Sequence, residues 1–354
     1  MCGHGGLTKK ELSVQGMSFI MDLEQLCINI GKGEMIMNSQ ENLSLQAHQV
    51  IREVQKAVIG KEECIRKVMM AILSSGHILL EDIPGVGKTT MALAFSKALN
   101  LKENRLTFTP DVLPADLTGF TMYRKETGKF YYQPGAVMCN LFLGDEINRT
   151  SPRTQSALLE VMEEGQVSVD GVTHPLPRPF IVIATQNPAG SAGTQLLPQS
   201  QLDRFTVCLT MGYPDIREEI SILKGRIAQN TIEQVSPAAD AAELIQMQEE
   251  VRRIFIHDRI YHYIGTLVQA TRTNSMVELG VSPRGTLALA RMSQASAYLR
   301  NKTYVTPDDI REVFMDVCAH RIILNAKARI SHLTPAAVLE EILKATPGPS
   351  LRKS

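Results

Sequence analysis

A lysine and two threonines stand directly behind a glycine-rich turn, where they can act together on one ligand. An apolar run at residues 78–80 predicts a buried strand before the turn, and a helical pattern follows it to residue 99. The stretch consists of Pro84, Gly85, Val86, Gly87, Lys88, Thr89 and Thr90. In such a strand–turn–helix unit, backbone N–H groups point at an anion, so the stretch predicts a phosphate-binding loop.

The side chains of this loop suit a nucleotide with its metal ion. Lys88 would reach the β- and γ-phosphates, and the Thr89 hydroxyl would bind Mg²⁺. The strict pattern is G-x-x-x-x-G-K-[ST], and Asp82 stands where its first glycine belongs, so the match is incomplete. A loose glycine loop could also be a plain strand–helix turn, but the flanking elements favour nucleotide binding.

Two acids follow another apolar strand, at residues 141–144. Asp145 and Glu146 would then lie at the carboxyl edge of the sheet, where ligands of open α/β sheets collect. Asp145 suits Mg²⁺, directly or through water, and Glu146 suits the polarisation of a water that attacks the γ-phosphate. Acidic pairs also begin ordinary loops, but downstream of a phosphate loop the catalytic interpretation is favoured.

Three further polar residues each allow a functional and a structural interpretation. Asn187 ends the strand at residues 180–186 and could orient the attacking water, or it could simply form an Asn-Pro turn. Arg204 could form a structural salt bridge with Asp203 or with a neighbouring carboxylate. Arg284 falls in the first turn of a helix that Ser282 would cap, and a cation there opposes the helix dipole. That conflict hints at an anion nearby.

The pattern of elements changes once along the chain. Residues 44–212 alternate strands and helices and predict an α/β domain; residues 213–345 predict a helical domain. Hairpins are expected near 120–133 and 165–176. Helices of the second domain are expected near 215–228, 238–252, 257–273, 283–299, 306–319 and 334–344. Residues 1–43 are expected to be disordered or to precede a true start at Met37, and residues 346–354 to be a disordered tail.

Composition excludes some classes of protein. The 354 residues are 44% hydrophobic, enough for one large or two ordinary domains with real cores. The formal net charge is zero, with 37 basic and 37 acidic side chains, so no overall field attracts nucleic acid or an anionic membrane. No run reaches the length of a membrane-spanning helix, and the N-terminus lacks a signal-peptide layout.

Six scattered cysteines form no C-x-x-C pair. Several of them lie in apolar surroundings, which is typical of reduced, buried thiols. We therefore expect a cytoplasmic protein without a disulfide framework.

Taken together, the motifs resemble those of an AAA+ ATPase, and more closely those of the MoxR family. The resemblance covers about residues 44–325 and depends on the stretches at residues 80–89, 108–119, 145–149, 184–188, 201–205 and 282–284. An aspartate at the position of Asp82 is usual in that family. The resemblance implies a P-loop NTPase fold: a parallel five-stranded sheet flanked by helices, with a C-terminal all-α lid domain.

The resemblance also implies roles for individual residues. Asn187 resembles the first sensor of the γ-phosphate, and Arg204 the arginine finger that acts in a neighbouring subunit. Arg284 resembles the second sensor, which reports the nucleotide state to the helical lid. Ile59 and Gly60 resemble the segment near adenine. ATP and Mg²⁺ are the implied ligands, and the implied assembly is a ring, usually a hexamer, in which the two hairpins face the pore or a partner.

Three functions compete at this point. The first is an ATPase that remodels or matures client proteins, with a client or a von Willebrand factor A-type protein as a separate chain. The second is a nucleic-acid motor, which zero net charge and the lack of an aromatic–basic platform make unattractive, so no nucleic acid is expected. The third is a slow nucleotide switch, including one that serves a metal-inserting chelatase. The sequence does not name the client or fix the ring number.

Overall fold

The computed structural model describes residues 43–83, 85–187, 197–228 and 231–349. The expectations for residues 1–42 and for Pro84 fall outside these ranges. The described helices are α1 (43–57), α2 (Glu62–Leu73), α3 (Lys88–Ala98), α4 (Pro114–Thr118), α5 (Pro152–Glu164), α6 (Gln199–Leu202), α7 (Ile216–Ala228), α8 (Ala241–Arg253), α9 (Asp258–Thr273), α10 (Pro283–Leu299), α11 (Pro307–Cys318), α12 (Ala326–Ile330) and α13 (Pro335–Ala345).

The described strands form one large sheet and three small antiparallel pairs. In chain order they are β1 (Ile78–Glu81), β2 (Glu103–Thr107), β3 (Gly119–Arg124), β4 (Lys129–Pro134), β5 (Leu141–Asp145), β6 (Gln166–Val169), β7 (Val172–Pro175), β8 (Ile181–Gln186), β9 (Val207–Leu209), β10 (Val277–Leu279) and β11 (Ile323–Leu324). The small pairs are β3–β4, β6–β7 and β10–β11. The first two are the hairpins that the sequence predicts.

The large sheet is parallel, with strand order β2-β5-β8-β1-β9. Its central strands β5 and β8 are buried at every position. Continuous apolar runs such as these belong to strands that are covered on both faces. Because the strands are parallel, the residues that follow β1, β5 and β8 all emerge at one edge of the sheet. The predicted five-stranded α/β fold is therefore confirmed.

Each face of the sheet has its own hydrophobic core. Ile78 and Leu80 point into a cluster that also contains residues of α2 and α3, whereas Leu79 points into a second cluster with residues of α5. This alternation follows from the two-residue period of a strand. The sheet is therefore held between two layers of helices, which fixes the positions of the loops at its carboxyl edge.

The C-terminal part is a helical domain that shares the first core. Leu289 of α10 and Phe314 of α11 belong to the same cluster as Met69 of α2. The helical lid predicted from the sequence is confirmed, with the short β10–β11 pair as an addition to it. Among the described helices, none has the length and apolar character needed to cross a membrane.

Candidate active site

The phosphate loop connects β1 to α3 at the carboxyl edge of the sheet. Gly85 and Gly87 have φ angles of +90° and +100°, a region that glycine enters without steric cost. Gly87 is also the N-cap of α3, and a glycine has no side chain that could satisfy the first N–H groups of the helix. The loop thus presents backbone N–H groups at a helix N-terminus, the arrangement that binds anions.

Lys88 is folded back onto the root of this loop. Its buried Nζ donates to the carbonyl oxygen of Asp82, and to that of Ile83 at 3.2 Å. Burial lowers the pKa of Lys88, while the carboxylates of Asp82, Asp145 and Glu146 act in the opposite direction. A bound phosphate would give this ammonium group the strong anionic partner that two carbonyl oxygens do not provide.

Asp82 links the loop to the start of the second domain. Its Oδ2 accepts the N–H groups of Met211 at 2.8 Å and Gly212 at 2.6 Å, and its Oδ1 accepts that of Ile83 at 2.8 Å. The residue that departs from the strict loop pattern is therefore buried and fully engaged.

Two oxygen ligands suitable for a metal ion lie side by side next to the loop. The Thr89 Oγ1 lies 3.3 Å from the Asp145 Oδ2. A threonine hydroxyl and a carboxylate are hard oxygen donors, and Mg²⁺ takes one or two protein ligands and fills its shell with phosphate and water. In the described part of the chain no group of three or more His, Cys, Asp or Glu could hold a metal. The site fits Mg²⁺ that arrives with a nucleotide.

Asp145 has two further partners that the sequence analysis missed. The Arg105 Nε donates to its Oδ2 at 2.7 Å, and the Thr185 Oγ1 donates to its Oδ1 at 3.3 Å. Arg105 comes from β2 and Thr185 from β8, so both neighbouring strands fix this carboxylate. The signal in the sequence that could have identified these two partners is a polar residue inside a strand that is otherwise apolar or alternates between polar and apolar residues.

Glu146 follows Asp145 in a left-handed backbone conformation, with φ of +58°. Its Oε1 accepts the Asn187 Nδ2 at 3.1 Å, and its Oε2 accepts the Arg149 Nη1 at 2.7 Å. The hydrogen bond from Arg149 lowers the pKa of Glu146, with a smaller contribution from Asn187. The carboxylate is therefore anionic and oriented, as a group that polarises water must be.

The position of Asn187 depends on Asn148. The Asn148 Nδ2 donates to the Asn187 carbonyl at 3.1 Å, and Asn148 is buried. Asn148 thus connects the segment after β5 directly to the segment after β8. Five predicted residues come together at this edge of the sheet: Lys88, Thr89, Asp145, Glu146 and Asn187.

A cavity of about 420 Å³ opens beside the loop, on the side of the second domain. Of the predicted residues, it is lined by Ile59, Gly85, Val86, Gly87 and Thr90. The unpredicted lining comes mainly from the linker and α7: Tyr213, Pro214, Ile222 and Leu223. Its size and mixed lining are typical of a small-molecule site, and its position suits the base and sugar of a nucleotide whose phosphates lie on the loop.

Gly60 contributes differently from Ile59. It has φ of +72°, and a Cβ atom there would lie 2.1 Å from the Glu218 carboxyl group at the start of α7. Lys61 and Glu218 form a salt bridge of 3.3 Å at the same place. Gly60 therefore lets α7 approach the cavity closely.

Arg204 and Arg284 lie together, and both pair with Glu163. The Arg204 Nη1 is 3.2 Å from the Glu163 Oε2, and the Arg284 Nη2 donates to the Glu163 Oε1. Arg204 also donates to the Leu159 carbonyl at 2.7 Å. Of the two salt-bridge partners expected for Arg204, the neighbouring carboxylate is the one observed, and it belongs to Glu163.

This arginine pair lies at the amino edge of the sheet, opposite the phosphate loop. Glu163 ends α5, and the carbonyl of the preceding Met162 accepts a hydrogen bond from the His77 Nε2 at 3.1 Å, just before β1 begins. The segment after Arg204 joins the same edge, because the Thr206 N–H donates to the His77 carbonyl at 2.8 Å. The phosphate loop follows the other end of β1, so the two guanidinium groups and the loop lie at opposite ends of this strand.

The two hairpins pack against each other through one stacked pair. The rings of Tyr132 and His174 are 3.8 Å apart and nearly parallel. The β3–β4 hairpin also exposes Phe130, whose side chain is 74% accessible, and places Arg124 4.5 Å above the ring of Tyr131. The hairpin thus places one basic side chain over one ring, a contact that the sequence analysis did not anticipate, while Tyr123 and Phe130 lie together on its opposite face.

Comparisons with known proteins agree with this geometry. Residues 77–207 match the family described as "ATPase family associated with various cellular activities (AAA)", and residues 269–342 match "AAA lid domain". The chain is 43% identical over 315 residues to the uncharacterized protein YeaC of Bacillus subtilis, covering 89% of this chain and 98% of that protein. It is 35% identical over 323 residues to Chaperone MoxR1 of Mycobacterium tuberculosis, covering 88% and 85%.

A solved structure shows the same architecture. The crystal structure of "a putative ATPase" from Cytophaga hutchinsonii has a TM-score of 0.83 and 34% identity, and the match covers 90% of this chain and 99% of that one. Fold and site thus define an AAA+ ATPase with a helical lid. Within that class, the chain belongs to the MoxR family, as its motifs indicated.

Proposed function

We propose that the protein binds and hydrolyses ATP with Mg²⁺ in a ring of identical subunits, a hexamer, and uses the cycle to remodel or mature partner proteins. The observation that carries this proposal is the division of the site between two edges of the sheet. Lys88, Asp145 and Glu146 lie at the carboxyl edge, whereas Arg204 and Arg284 lie at the amino edge. A second copy of the chain is needed to bring the two halves together.

Positioning and charge neutralisation account for the chemistry, as in other phosphoryl transfers. The loop N–H groups and Lys88 hold the phosphates, and Thr89 with Asp145 would hold Mg²⁺. The metal, when bound, neutralises charge on the β- and γ-phosphates. Glu146, oriented by Asn187, accepts a hydrogen bond from the attacking water. Arg204 and Arg284 of the neighbouring subunit neutralise the charge that develops on the γ-phosphate.

The client is a protein in a separate chain, of the unfolded, partly assembled or von Willebrand factor A type. Support comes from a relative named as a chaperone and from the exposed aromatic hairpin around Phe130. A cytoplasmic location is supported by Cys64, Cys139, Cys208 and Cys318, the cysteines within the described ranges, which are free thiols.

A second candidate is a nucleic-acid motor, because the β3–β4 hairpin carries aromatic rings on which bases could stack, Tyr123 beside Phe130 on one face and Tyr131 under Arg124 on the other. We favour a protein client, because 37 basic side chains are balanced by 37 acidic ones. Stimulation of ATP hydrolysis by single-stranded DNA or RNA would favour the motor.

Mixing two inactive variants tests the shared site. Arg204→Ala keeps its own phosphate loop, and Lys88→Ala keeps its own arginines, so each alone should lose hydrolysis by about 1,000-fold or more. In mixed rings the Arg204→Ala subunit receives its guanidinium from a Lys88→Ala neighbour, and phosphate release should return. Absence of recovery, with ring formation shown by light scattering, would contradict the proposal.

A further inference from the structure

One buried cation in the lid has partners that come almost entirely from another element. Arg321 ends the short turn Ala319–Arg321 after α11, and it is only 3% exposed. Its Nε donates to the Asp203 Oδ1 at 2.9 Å, and its Nη1 donates to the Val317 carbonyl. A buried guanidinium is tolerated only where its N–H groups all find acceptors.

Three backbone carbonyls around Arg204 complete this set of partners together with the ring of His320, whose Nε2 lies 2.8 Å from the Arg321 Nη1. The Arg321 Nη2 donates to the carbonyls of Asp203 at 3.0 Å and Phe205 at 2.6 Å, and its Nη1 donates to that of Thr206 at 3.1 Å. The guanidinium therefore contacts the chain immediately before and immediately after Arg204. The backbone at Arg204 is therefore held on both sides, which fixes the point from which its side chain extends.

Arg321 also borders the helix end that carries Arg284. A Cβ atom at Gly285 would lie 2.6 Å from the Arg321 Cδ, so the first turn of α10 packs directly on this side chain. The N-cap Ser282 donates from its Oγ to Asp203 at 2.9 Å, and Asp203 is the carboxylate that Arg321 binds. One buried cation thus joins the two segments that carry the arginine pair.

From these contacts we infer that Arg321 is a positioning residue for the neighbouring subunit's ATP site. It holds the segments of Arg204 and Arg284 against each other and against the lid. The two guanidinium groups therefore enter the neighbouring subunit's ATP site as one rigid unit. The inference rests on the proposed function, which places both arginines in the adjacent subunit. It adds that the lid of one subunit acts on the site of the next through a side chain that contacts no nucleotide.

The planar fork of arginine is what this position requires. Five N–H groups diverge in one plane and reach a carboxylate and several carbonyls at once. A lysine keeps the charge but offers three donors from a single atom, and it cannot bind the chain on both sides of Arg204.

The test uses Arg321→Lys in the full chain. We expect its own nucleotide site to be intact, with the affinity for a fluorescent ATP analogue and the KM for ATP unchanged, while kcat falls by about 10- to 100-fold. Mixing it with Lys88→Ala should restore turnover, as for Arg204→Ala, because the neighbour then supplies correctly held arginines. Arg300→Lys is the matched control: it pairs with Asp309 inside the lid, and it should keep full activity.

The possible results of these mixing experiments distinguish a failure of this inference from a failure of the proposed function on which it rests. If Arg204→Ala recovers with Lys88→Ala but Arg321→Lys does not, Arg321 acts on its own subunit and the inference is overturned. Full kcat in Arg321→Lys overturns it too. If Arg204→Ala itself fails to recover, the shared site is wrong and the inference is lost with it.

A second variant covers the case in which Arg321→Lys melts early in a thermal scan. Gly285→Ala leaves the cation in place but pushes a methyl group against the Arg321 Cδ. It should show the same fall in kcat, the same unchanged KM and the same recovery on mixing. Normal kcat in this variant, with Arg321→Lys folded poorly, would mean a structural role alone.

Discussion

At the scale of single residues, Glu146 shows how neighbours prepare a group for catalysis. Asn187 and Arg149 each hold one carboxylate oxygen, and the hydrogen bond from Arg149 lowers the pKa of Glu146. A water hydrogen-bonded to this anion would be a better nucleophile.

Replacement of Glu146 by glutamine keeps the shape of the side chain but removes its basicity. We expect turnover to fall by about 100-fold or more, while ATP stays bound. Phosphate release and retention of labelled ATP on filters measure the two effects. The exposed Glu160 of the same chain provides the control Glu160→Gln, which should behave like the unaltered protein. Undiminished turnover in Glu146→Gln would exclude Glu146 as the group that activates water.

In the proposed site, Arg105 would compete with Mg²⁺ for the Asp145 carboxylate, because its Nε lies 2.7 Å from the Asp145 Oδ2. Arg105→Gln should therefore lower the Mg²⁺ concentration needed for half-maximal hydrolysis by about two- to fivefold, the size expected for a half-exposed ion pair. A titration with Mg²⁺ at saturating ATP measures it. Arg153→Gln, an exposed change on α5, is the control; a higher Mg²⁺ requirement in Arg105→Gln would show that Arg105 instead orients the ligand.

The nucleotide-site residues were predictable because each follows a strand directly. Asp145, Glu146 and Asn187 end apolar runs, and parallel strands bring such ends to one edge. Arg321 could not be found in this way, since its acceptors Asp203 and Thr206 lie more than a hundred positions away in the chain. Its role depends on how the lid packs against the segment at Asp203 and Thr206. A local sequence pattern carries no information about such long-range packing.

At the scale of elements, the approach of α7 to the turn at Gly60 shapes the nucleotide cavity. Glu218 caps α7 by accepting the Asp215 N–H at 2.8 Å, and the same carboxyl group fills the space that a side chain at Gly60 would need. The local pattern thus predicted α7 itself, near residues 215–228, but not its approach to Gly60.

Gly60→Ala should displace α7 as well as strain the turn. We expect a loss of about 1 to 3 kcal/mol in the free energy of unfolding and weaker ATP binding. Gly171→Ala is the matched control, because Gly171 shares the positive φ but has open space around it. Denaturant unfolding and binding of a fluorescent ATP analogue separate the effects: the control should lose stability only. Equal ATP affinity in both variants would contradict a role for α7 in the cavity.

Most helices and both hairpins followed from local signals. The Ser-Pro start at Ser282 predicted α10, and Asp170 with Gly171 predicted the β6–β7 turn. The β10–β11 pair and α12 were missed, because segments of two to five residues carry too little periodicity to be recognised.

At the scale of the whole molecule, the two halves of the proposed site are separated within one chain. Helix α5 runs from the carboxyl edge to the amino edge, and its residues Pro152 to Glu163 span about 16 Å at 1.5 Å per residue. Activity should therefore depend on assembly.

Dilution of the protein gives a direct measurement. Specific ATPase activity should fall by about 1,000-fold or more as subunits separate, because an arginine finger supplies that much of the rate. Light scattering or mass photometry on the same samples gives the oligomeric state. Arg204→Ala should show low activity at every concentration. Constant specific activity across the transition from ring to monomer would contradict the division of the site.

The carboxylate of Asp82 determines what a substitution at this position of the loop would do. It accepts the N–H groups of Met211 and Gly212, where the chain leaves the sheet for the lid. Replacement of Asp82 by the consensus glycine would remove these two hydrogen bonds between the phosphate-binding turn and the segment that leads into the lid. The departure from the consensus thus connects the phosphate-binding turn to the segment that leads into the lid.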